Sequence, residues 1–206
     1  MAKEKWEEIY KKFEMNLPWC IEEVPSWFKK LIISKWVKPC KTLDVGCGVG
    51  NYANFLAKKE FEVTAIDISK KVIDMAVKKN AVKNLRFKAH DAFKLKSLGK
   101  FDFVYEISIL HNIEPNKRKK YIDNLYSVLN KNGKLLVCCF SKGDWLFRGK
   151  DKLYSADLDN TIYPLAKEDF EKLFGDRFVI EKIKKVYMGR KGKRKRERFV
   201  CLMRKR

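Results

Sequence analysis

The stretch that decides the fold is Leu43-Asp44-Val45-Gly46-Cys47-Gly48-Val49-Gly50. A short β-prone run, residues 41–45, leads into three glycines spaced by two, and an apolar run typical of a helix, residues 52–57, follows at once. This order of strand, glycine turn and helix opens nucleotide-binding α/β domains. Glycine lets the backbone approach a ligand closely, and the start of a helix offers free N–H groups to a negative charge. The stretch therefore predicts a ligand site, against the alternative of a tight turn without a ligand.

Strand-like and helix-like runs alternate along the rest of the chain. The predicted strands are residues 41–45, 62–67, 85–89, 101–107, 134–140, 178–188 and 198–203. The predicted helices are residues 6–13, one that begins at Pro25 and ends before Lys38-Pro39, 52–59, 69–80, one that follows Glu114-Pro115 and ends at Asn130, and 167–173. Such alternation predicts an α/β fold with a parallel sheet and right-handed crossovers. The last two strands would form a hairpin, so the final strand is expected to be antiparallel.

Composition limits the class of protein. The chain has 206 residues, of which 46% are hydrophobic, and this fits one domain with a sizeable core and excludes a disordered chain. No apolar run reaches the roughly 18 residues that span a membrane, and the N-terminal residues mix Lys and Glu in a way unlike a signal peptide. The 6 cysteines form no C-x-x-C pair and there are only 2 histidines, so no metal site is expected. Reduced cysteines favour a cytoplasmic protein.

Positive charge is concentrated near the C-terminus. The net charge is +21, and residues 182–206 contain most of the excess, with Glu197 as their single acid. Two interpretations stay open. Residues 190–198 are either the solvated tip of a hairpin or a surface that binds the phosphates of a nucleic acid, since clustered Lys and Arg release counterions from it.

The glycine spacing distinguishes between cofactors. A dinucleotide fingerprint reads G-x-G-x-x-G. This chain has G-x-G-x-G instead, with Asp44 two residues before Gly46. The pattern resembles motif I of the class I S-adenosylmethionine-dependent methyltransferases, and the resemblance covers residues 40–140. It implies S-adenosyl-L-methionine as the cofactor and a Rossmann-like seven-stranded, mostly parallel sheet with helices on both faces. An NAD(P)-binding oxidoreductase is the disfavoured alternative.

The resemblance also implies the cofactor-binding residues. The turn residues Gly46, Cys47, Gly48 and Gly50 would cradle the cofactor, and Asp44 would anchor the turn or bind the methionine amino group. Asp67 ends the second strand, where a carboxylate can accept both ribose hydroxyls. Ile68 would pack on the adenine. Asp91 and Ala92 resemble motif III, in which the acid accepts from the adenine amino group and the next amide contacts the ring. The alternatives are a loop aspartate near a helix N-cap for Asp67 and a turn residue for Asp91.

Residues 101–112 resemble motif IV and the loop that follows it. Glu106 falls at the end of the strand, where the transferred methyl is expected, and Ser108 and His111 follow at the same place. These are the candidate catalytic residues. His111 is a general base, a substrate-positioning residue or a cap for the loop. The chain has no Asn/Asp-Pro-Pro-Tyr/Phe sequence and no Pro-Cys dipeptide at this strand end, which disfavours nucleic-acid amino and cytosine C5 methylation.

The N-terminal aromatics complete the predicted site. Trp6-x-x-x-Tyr10 with Pro18-Trp19 resembles the N-terminal segment of small-molecule methyltransferases of the thiopurine and tellurite-resistance type, in which an aromatic lid covers the cofactor and the substrate. The alternative is an amphipathic helix that caps the core. We therefore predict a single domain, with residues 1–39 as a helical lid and residues 40–206 as an α/β core that ends in a basic hairpin.

The predicted activity is transfer of a methyl group from S-adenosylmethionine to a small-molecule acceptor by direct in-line displacement. A general base is needed only if the acceptor is weakly acidic. The alternative is an RNA methyltransferase or a nucleic-acid-binding protein that uses the basic C-terminal segment.

Overall fold

Seven strands form one mixed sheet in the computed structural model, which describes residues 2–13, 16–17, 19–20, 23–189 and 194–206. The strands are β1 (Lys41–Val45), β2 (Glu62–Asp67), β3 (Leu85–Ala89), β4 (Phe101–Ile107), β5 (Leu129–Phe140), β6 (Leu153–Ser155), β7 (Asn160–Ile162), β8 (Phe178–Met188) and β9 (Arg196–Lys205). The order in the large sheet is β3-β2-β1-β4-β5-β9-β8, and β6 and β7 form a separate pair. β1 to β5 run parallel, whereas β9 is antiparallel to both neighbours. The predicted seven-stranded sheet is confirmed.

Helices cover both faces of the sheet. They are α1 (Ala2–Phe13), α2 (Ser26–Ile33), α3 (Asn51–Ala57), α4 (Lys70–Lys79), α5 (Pro115–Val128) and α6 (Glu168–Phe174). The apolar faces of α2 and α3 pack against one face of the sheet, and those of α5 and α6 pack against the other. None of the helices in the described ranges has the length and apolar run that crossing a membrane requires.

Some element boundaries differ from the predicted ones. β5 begins at Leu129, because residues 129–133 continue the pairing with β4 across a bulge instead of forming a free turn. Asn132 adopts a φ of 61° there, which asparagine tolerates better than most residues. α2 ends at Ile33, earlier than predicted, because Lys35 turns into the left-handed region with a φ of 57°. β9 is longer than predicted at both ends, since it pairs with β5 and β8.

The topology leaves a crevice at one edge of the sheet. β1 lies between β2 and β4, so the chain leaves β1 in one direction and later returns on its other side. In open α/β sheets, ligands bind outside the carboxyl ends of the strands at such a switch point. Every candidate residue of the glycine turn, β2 and β4 follows or ends a strand at this edge.

Candidate active site

The glycine turn after β1 is closely packed against its surroundings. Gly46, Gly48 and Gly50 have φ values of 73°, 53° and 79°, which disfavour any residue with a side chain. A Cβ atom at Gly46 would collide with the Ile109 side chain, and one at Gly50 would collide with the Phe87 ring. At Gly48 the nearest atom to an added Cβ would be the Tyr10 hydroxyl, 3.5 Å away. The turn is therefore held between Ile109 and Phe87, and the backbone of Gly48 faces the Tyr10 hydroxyl.

Asp44 is an acid at the end of β1 that is buried without a complete set of partners. It is 3% exposed, and within the described part of the chain nothing donates a hydrogen bond to its Oδ2. Burial raises the pKa of this carboxyl to about 8; the adjacent Tyr105 hydroxyl opposes the rise and the charge of Asp67 adds to it. A buried acceptor of this kind favours a cationic donor.

Asp67 lies opposite the glycine turn at the end of β2. Its Oδ2 accepts a hydrogen bond from Gly48 N–H at 3.1 Å, and its Oδ1 accepts one from Ser69 N–H at 3.1 Å. Burial raises the pKa of Asp67 to about 6, and these backbone donors limit the rise. Each carboxylate oxygen has a second lone pair, so the group can still accept two hydroxyls. Ile68, the next residue, is half-buried.

Asp91 and Ala92 lie in the turn after β3. Asp91 Oδ1 accepts a hydrogen bond from Phe93 N–H at 2.8 Å, and its carbonyl accepts one from Lys94 N–H at 2.9 Å. Ala92 packs against the core on the α5 face. Asp91 therefore has the role of a turn residue, which the sequence analysis gave as the alternative. A contact of Asp91 with adenine stays a prediction. Cys47, in the glycine turn, is half-buried, and burial together with Asp44 and Asp67 raises the pKa of its thiol.

Glu106 and Ser108 lie together at the end of β4. Glu106 is fully buried; its Oε2 accepts from Ile109 N–H at 2.7 Å, and its Oε1 has no hydrogen-bond partner among the described residues. Burial raises the Glu106 pKa to about 8, against the effect of backbone N–H groups and of the Arg198 charge. Ser108 has a φ of 80°, and its Oγ accepts a 2.6 Å hydrogen bond from Arg198 Nη1.

His111 is held in the interior next to β5. It is 2% exposed, and its Nδ1 accepts a hydrogen bond from Phe140 N–H at 3.2 Å. Burial lowers the pKa of the imidazole well below its usual range, and the charges of nearby arginines lower it further. Because Nδ1 is an acceptor, the ring is assigned as neutral with its proton on Nε2. Of the three roles predicted for His111, this arrangement supports capping of the loop or positioning.

The N-terminal helix α1 covers the site from the β2 side. Tyr10 is buried and its hydroxyl accepts a 3.1 Å hydrogen bond from Trp19 Nε1, and the Trp6 and Trp19 rings meet edge to face at 5.8 Å. The predicted aromatic cluster therefore forms over the glycine turn. Pro18, which belongs to the same predicted motif, lies outside the described residues.

Sequence reasoning missed a clasp that holds α1 in place. The Glu7 carboxylate accepts hydrogen bonds from Ser69 Oγ at 3.0 Å, Lys70 N–H at 2.7 Å and Lys71 N–H at 3.1 Å. It thereby caps the first turn of α4, whose own N-cap residue is Ser69. The sequence does not indicate this role, because nothing around an acidic residue in one amphipathic helix shows that it will cap a different helix.

A second missed connection joins α1 to the end of β4. Lys5 Nζ donates to Asn160 Oδ1 at 2.9 Å, Asn160 Nδ2 donates to Asn112 Oδ1 at 2.6 Å, and Asn112 Nδ2 donates to the Ser108 carbonyl at 2.6 Å. Asn160 begins β7, a short strand that the sequence did not predict. The α1 helix is therefore bonded to both sides of the crevice.

These placements fit S-adenosylmethionine. The unpartnered Asp44 oxygen suits the amino group of its methionine part, and the Asp67 carboxylate suits its ribose. The glycines of the turn between them carry no side chains of their own, so a ligand can approach the backbone closely at Gly48, where the Tyr10 hydroxyl is the nearest neighbouring atom. The individual contacts of Ile68, Asp91, Ala92, Trp6, Tyr10 and Trp19 stay predictions.

The comparisons with known proteins agree with this fit. Residues 42–133 match the family described as "Methyltransferase domain". A ubiquinone biosynthesis O-methyltransferase from Pelagibacter ubique is 31% identical over 124 residues, which are 59% of this chain and 50% of that protein. The chain thus spans about half the length of this relative.

Solved structures share the fold over nearly the whole chain. A S-adenosylmethionine-dependent methyltransferase from Anabaena variabilis superposes with a TM-score of 0.81 at 18% identity and covers 100% of this chain and 96% of its own. The 1,6-didemethyltoxoflavin-N1-methyltransferase of Burkholderia thailandensis gives a TM-score of 0.77 at 17% identity, with 99% of this chain and 88% of its own covered. At these identities, the likeness concerns the fold.

Proposed function

The chain carries a class I S-adenosylmethionine-dependent methyltransferase domain, and on this basis we propose that it methylates a small-molecule acceptor at the end of β4. The observation that carries the proposal is the grouping of Asp44, the glycine turn and Asp67 at one edge of the sheet, with Glu106 and Ser108 beside them. S-adenosylmethionine supplies the methyl group on a sulfonium that is already a good leaving group.

The task of the protein in such a transfer is alignment. Holding the reactants in line within a dry pocket corresponds to effective molarities of roughly 10⁵–10⁸ M in intramolecular reactions. Asp44 and Asp67 would fix the two ends of the cofactor, and the wall of the pocket would be formed by Glu106, Ser108 and His111. Glu106, with a pKa near 8, can hold or release a proton near neutral pH, so it is the group that would accept a proton from a weakly acidic acceptor.

The closure of the crevice supports a small acceptor. α1 is bonded to the start of α4 through Glu7 and to the β4 loop through Lys5, Asn160 and Asn112. A macromolecule would have to displace these contacts to reach Glu106. A small molecule requires only a transient opening of α1.

The structure of the basic segment bears on the nucleic-acid alternative. Arg196 pairs with the buried Asp144, and Arg198 is buried against Ser108, so both are directed inward. Arg194 and Lys195 are exposed. Arg190, Lys191 and Lys193 lie outside the described residues. Binding of a nucleic acid through residues 190–198 stays a prediction, as does a cytoplasmic location.

Calorimetry with S-adenosylhomocysteine, the demethylated product, tests the cofactor part of the proposal. We expect binding of this compound and none of NAD. Asp67→Ala should weaken binding by about 1.5–3 kcal/mol for each charge-assisted hydrogen bond lost. Asp102→Ala, at an exposed carboxylate near the other end of β4, serves as the matched control and should bind like the wild type. Binding of NAD without S-adenosylhomocysteine would refute the proposal.

A further inference from the structure

Arg198 lies at the same edge of the sheet as the candidate catalytic residues. Ile107, the last residue of β4, pairs with Cys138 of β5, which pairs in turn with Val200 of β9. Because β9 runs antiparallel to β5, Arg198 lies two residues nearer the carboxyl edge and pairs with Phe140, the last residue of β5. Its side chain reaches back over the end of β4, where Nη1 donates to Ser108 Oγ.

The guanidinium of Arg198 is buried but only partly satisfied. The residue is 8% exposed, and its guanidinium carbon lies 3.9 Å from the centroid of the Phe140 ring. Its Nε has no hydrogen-bond partner among the described residues. A buried donor that lacks an acceptor is costly, and a buried charge is usually paired.

The two neighbouring arginines, the half-buried Arg196 and the buried Arg118, differ from Arg198 in the acceptors that their guanidinium groups meet. Arg196 forms an ion pair with Asp144, with Nε and Nη2 at 2.9 and 2.8 Å from the same carboxylate oxygen. Arg118 donates to the carbonyls of Ile113 at 3.2 Å and Tyr163 at 2.7 Å. For Arg198, no carboxylate in the described part of the chain lies within ion-pair distance. Its charge is therefore available to a ligand.

We propose that Arg198 binds a carboxylate of the methyl acceptor, so that the acceptor is a small organic acid; this inference rests on the proposed function. A planar guanidinium fork matches a carboxylate in two parallel hydrogen bonds, which fixes both the place and the orientation of the ligand. Ser108 and Phe140 hold the guanidinium from two sides, so it is oriented before the ligand arrives. With its carboxylate bound to Arg198, the acceptor would direct its opposite end towards Glu106.

The aromatic surroundings of Arg198 favour an acid with an apolar body. The Phe140 ring packs edge to face on Phe147 at 5.3 Å and lies 4.5 Å from the His111 ring. An aromatic or branched acid would place its apolar part on these rings while its carboxylate meets Arg198. Benzoate is the simplest probe with both features, and benzamide has the same shape without the charge.

The test is a calorimetric titration of benzoate and benzamide into the full chain saturated with S-adenosylhomocysteine. We expect benzoate to bind and benzamide to bind at least tenfold more weakly. Arg198→Gln should lower benzoate affinity by about 10- to 100-fold, the equivalent of one or two lost charge-assisted hydrogen bonds. Arg204→Gln, on the same strand at the far end of the sheet, is the matched control and should leave benzoate affinity unchanged.

Three results with benzoate would overturn the inference. They are equal affinity for benzoate and benzamide, unchanged benzoate affinity in Arg198→Gln, and no benzoate binding to a wild-type protein that does bind S-adenosylhomocysteine. A further contrary result is loss of S-adenosylhomocysteine affinity in Arg198→Gln, because Arg198 would then serve the carboxylate of the cofactor.

The same titrations separate the two proposals. Failure of the wild type to bind S-adenosylhomocysteine refutes the proposed function and the inference with it, whereas failure with benzoate alone refutes only the inference. Should Arg198→Gln not fold, Arg198→Lys and Ser108→Ala replace it, with thermal melting to verify their folding. Each should lower benzoate affinity, because Lys lacks the planar fork and Ala removes the hydroxyl that orients it.

Discussion

Glu7 Oε1 accepts a 2.7 Å hydrogen bond from Lys70 N–H, and this contact fastens the N-terminal helix to the first turn of α4. Asp67, the proposed ribose ligand, lies just before that turn and bonds to Ser69 N–H. Glu7, which fastens α1, and Asp67, which would bind the cofactor, therefore both bond to the same short segment, residues 69–70.

Removal of this clasp should weaken cofactor binding. Glu7→Gln loses the charge that caps α4, and loss of such a cap costs about 0.5–2 kcal/mol. We expect a moderate fall in S-adenosylhomocysteine affinity by calorimetry. Glu8→Gln, at the exposed neighbouring position, is the control. Equal affinities of the two variants would show that Glu7 has no role in closure.

The clasp should also depend on pH. Partial burial raises the Glu7 pKa, but hydrogen bonds from Lys71 N–H, Ser69 Oγ and Lys70 N–H outweigh it and hold the pKa below its usual value. The stabilisation is thus present above the ordinary glutamate pKa and is lost as the pH falls through the lowered one. In the wild type, the protection of α1 from proteolysis should decrease as the pH falls to acid values. In Glu7→Gln, which has no carboxyl to protonate at this position, the protection should not change over the same pH range.

Asp44 should make cofactor affinity and stability respond oppositely to pH. Its pKa of about 8 means that the folded protein without ligand holds a proton more tightly than the unfolded chain does. The free energy of unfolding should therefore fall as the pH rises from about 4 through 8, whereas affinity for a cationic amino group should rise by up to about tenfold per pH unit below that pKa.

Asp44→Asn is expected to remove both effects. The variant should melt at a higher temperature than the wild type at pH 8, since no charge is buried, and should bind S-adenosylhomocysteine more weakly with a flatter pH profile. Thermal melting and calorimetry across pH 6 to 9 provide the measurement. A wild-type profile in the Asn variant would exclude Asp44 from the site.

His111 should matter more for stability than for proton transfer. His111→Ala leaves Phe140 N–H without its buried acceptor, which costs about 1–3 kcal/mol of unfolding free energy. Burial depresses the His111 pKa, so its stabilisation is present above the ordinary histidine pKa and is lost as the pH falls. Denaturant unfolding at two pH values measures this.

The kinetics distinguish the roles of His111. If it were a general base, His111→Ala would lower kcat by roughly 10²–10⁴ and remove one limb of the pH profile. We expect kcat to be largely retained at low temperature. The half-buried His90, in the turn after β3, provides the control through His90→Ala.

The basic segment can be tested by salt dependence. If Arg194 and Lys195 contact phosphates, RNA affinity should fall with salt, with each contact adding about 0.7 to the log–log slope for a single strand. Replacement of both by Gln should flatten the slope. An unchanged slope would leave this segment as a solvated hairpin.

The sequence predicted the bounds of β1 to β4 because each is a short β-prone run between turn residues. It failed at β6 and β7. Each of these strands has only three residues, too few for a periodic pattern, and their position depends on contacts such as that of Asn160 with Asn112. The strand β5 was predicted too short, since Asn132-Gly133 has the composition of a turn but forms part of a bulge.

The glycine turn and the acids at the strand ends were predictable because each belongs to a short, contiguous motif at the end of one strand. Glu7 and Arg198 were not, because their roles come from residues far along the chain. In the sequence, Arg198 is one more basic residue in a charged run. Only its pairing with β5 turns it away from solvent and towards Ser108.

The left-handed backbone of Ser108 has an evolutionary consequence. Its φ of 80° is strained for any residue with a Cβ, and glycine would relieve that strain. Selection for thermal robustness alone would therefore drive this position towards glycine, yet the hydroxyl that holds Arg198 would then disappear. Serine at this position is thus a compromise: its backbone costs the fold some stability, and its hydroxyl keeps Arg198 in the orientation that our proposal requires.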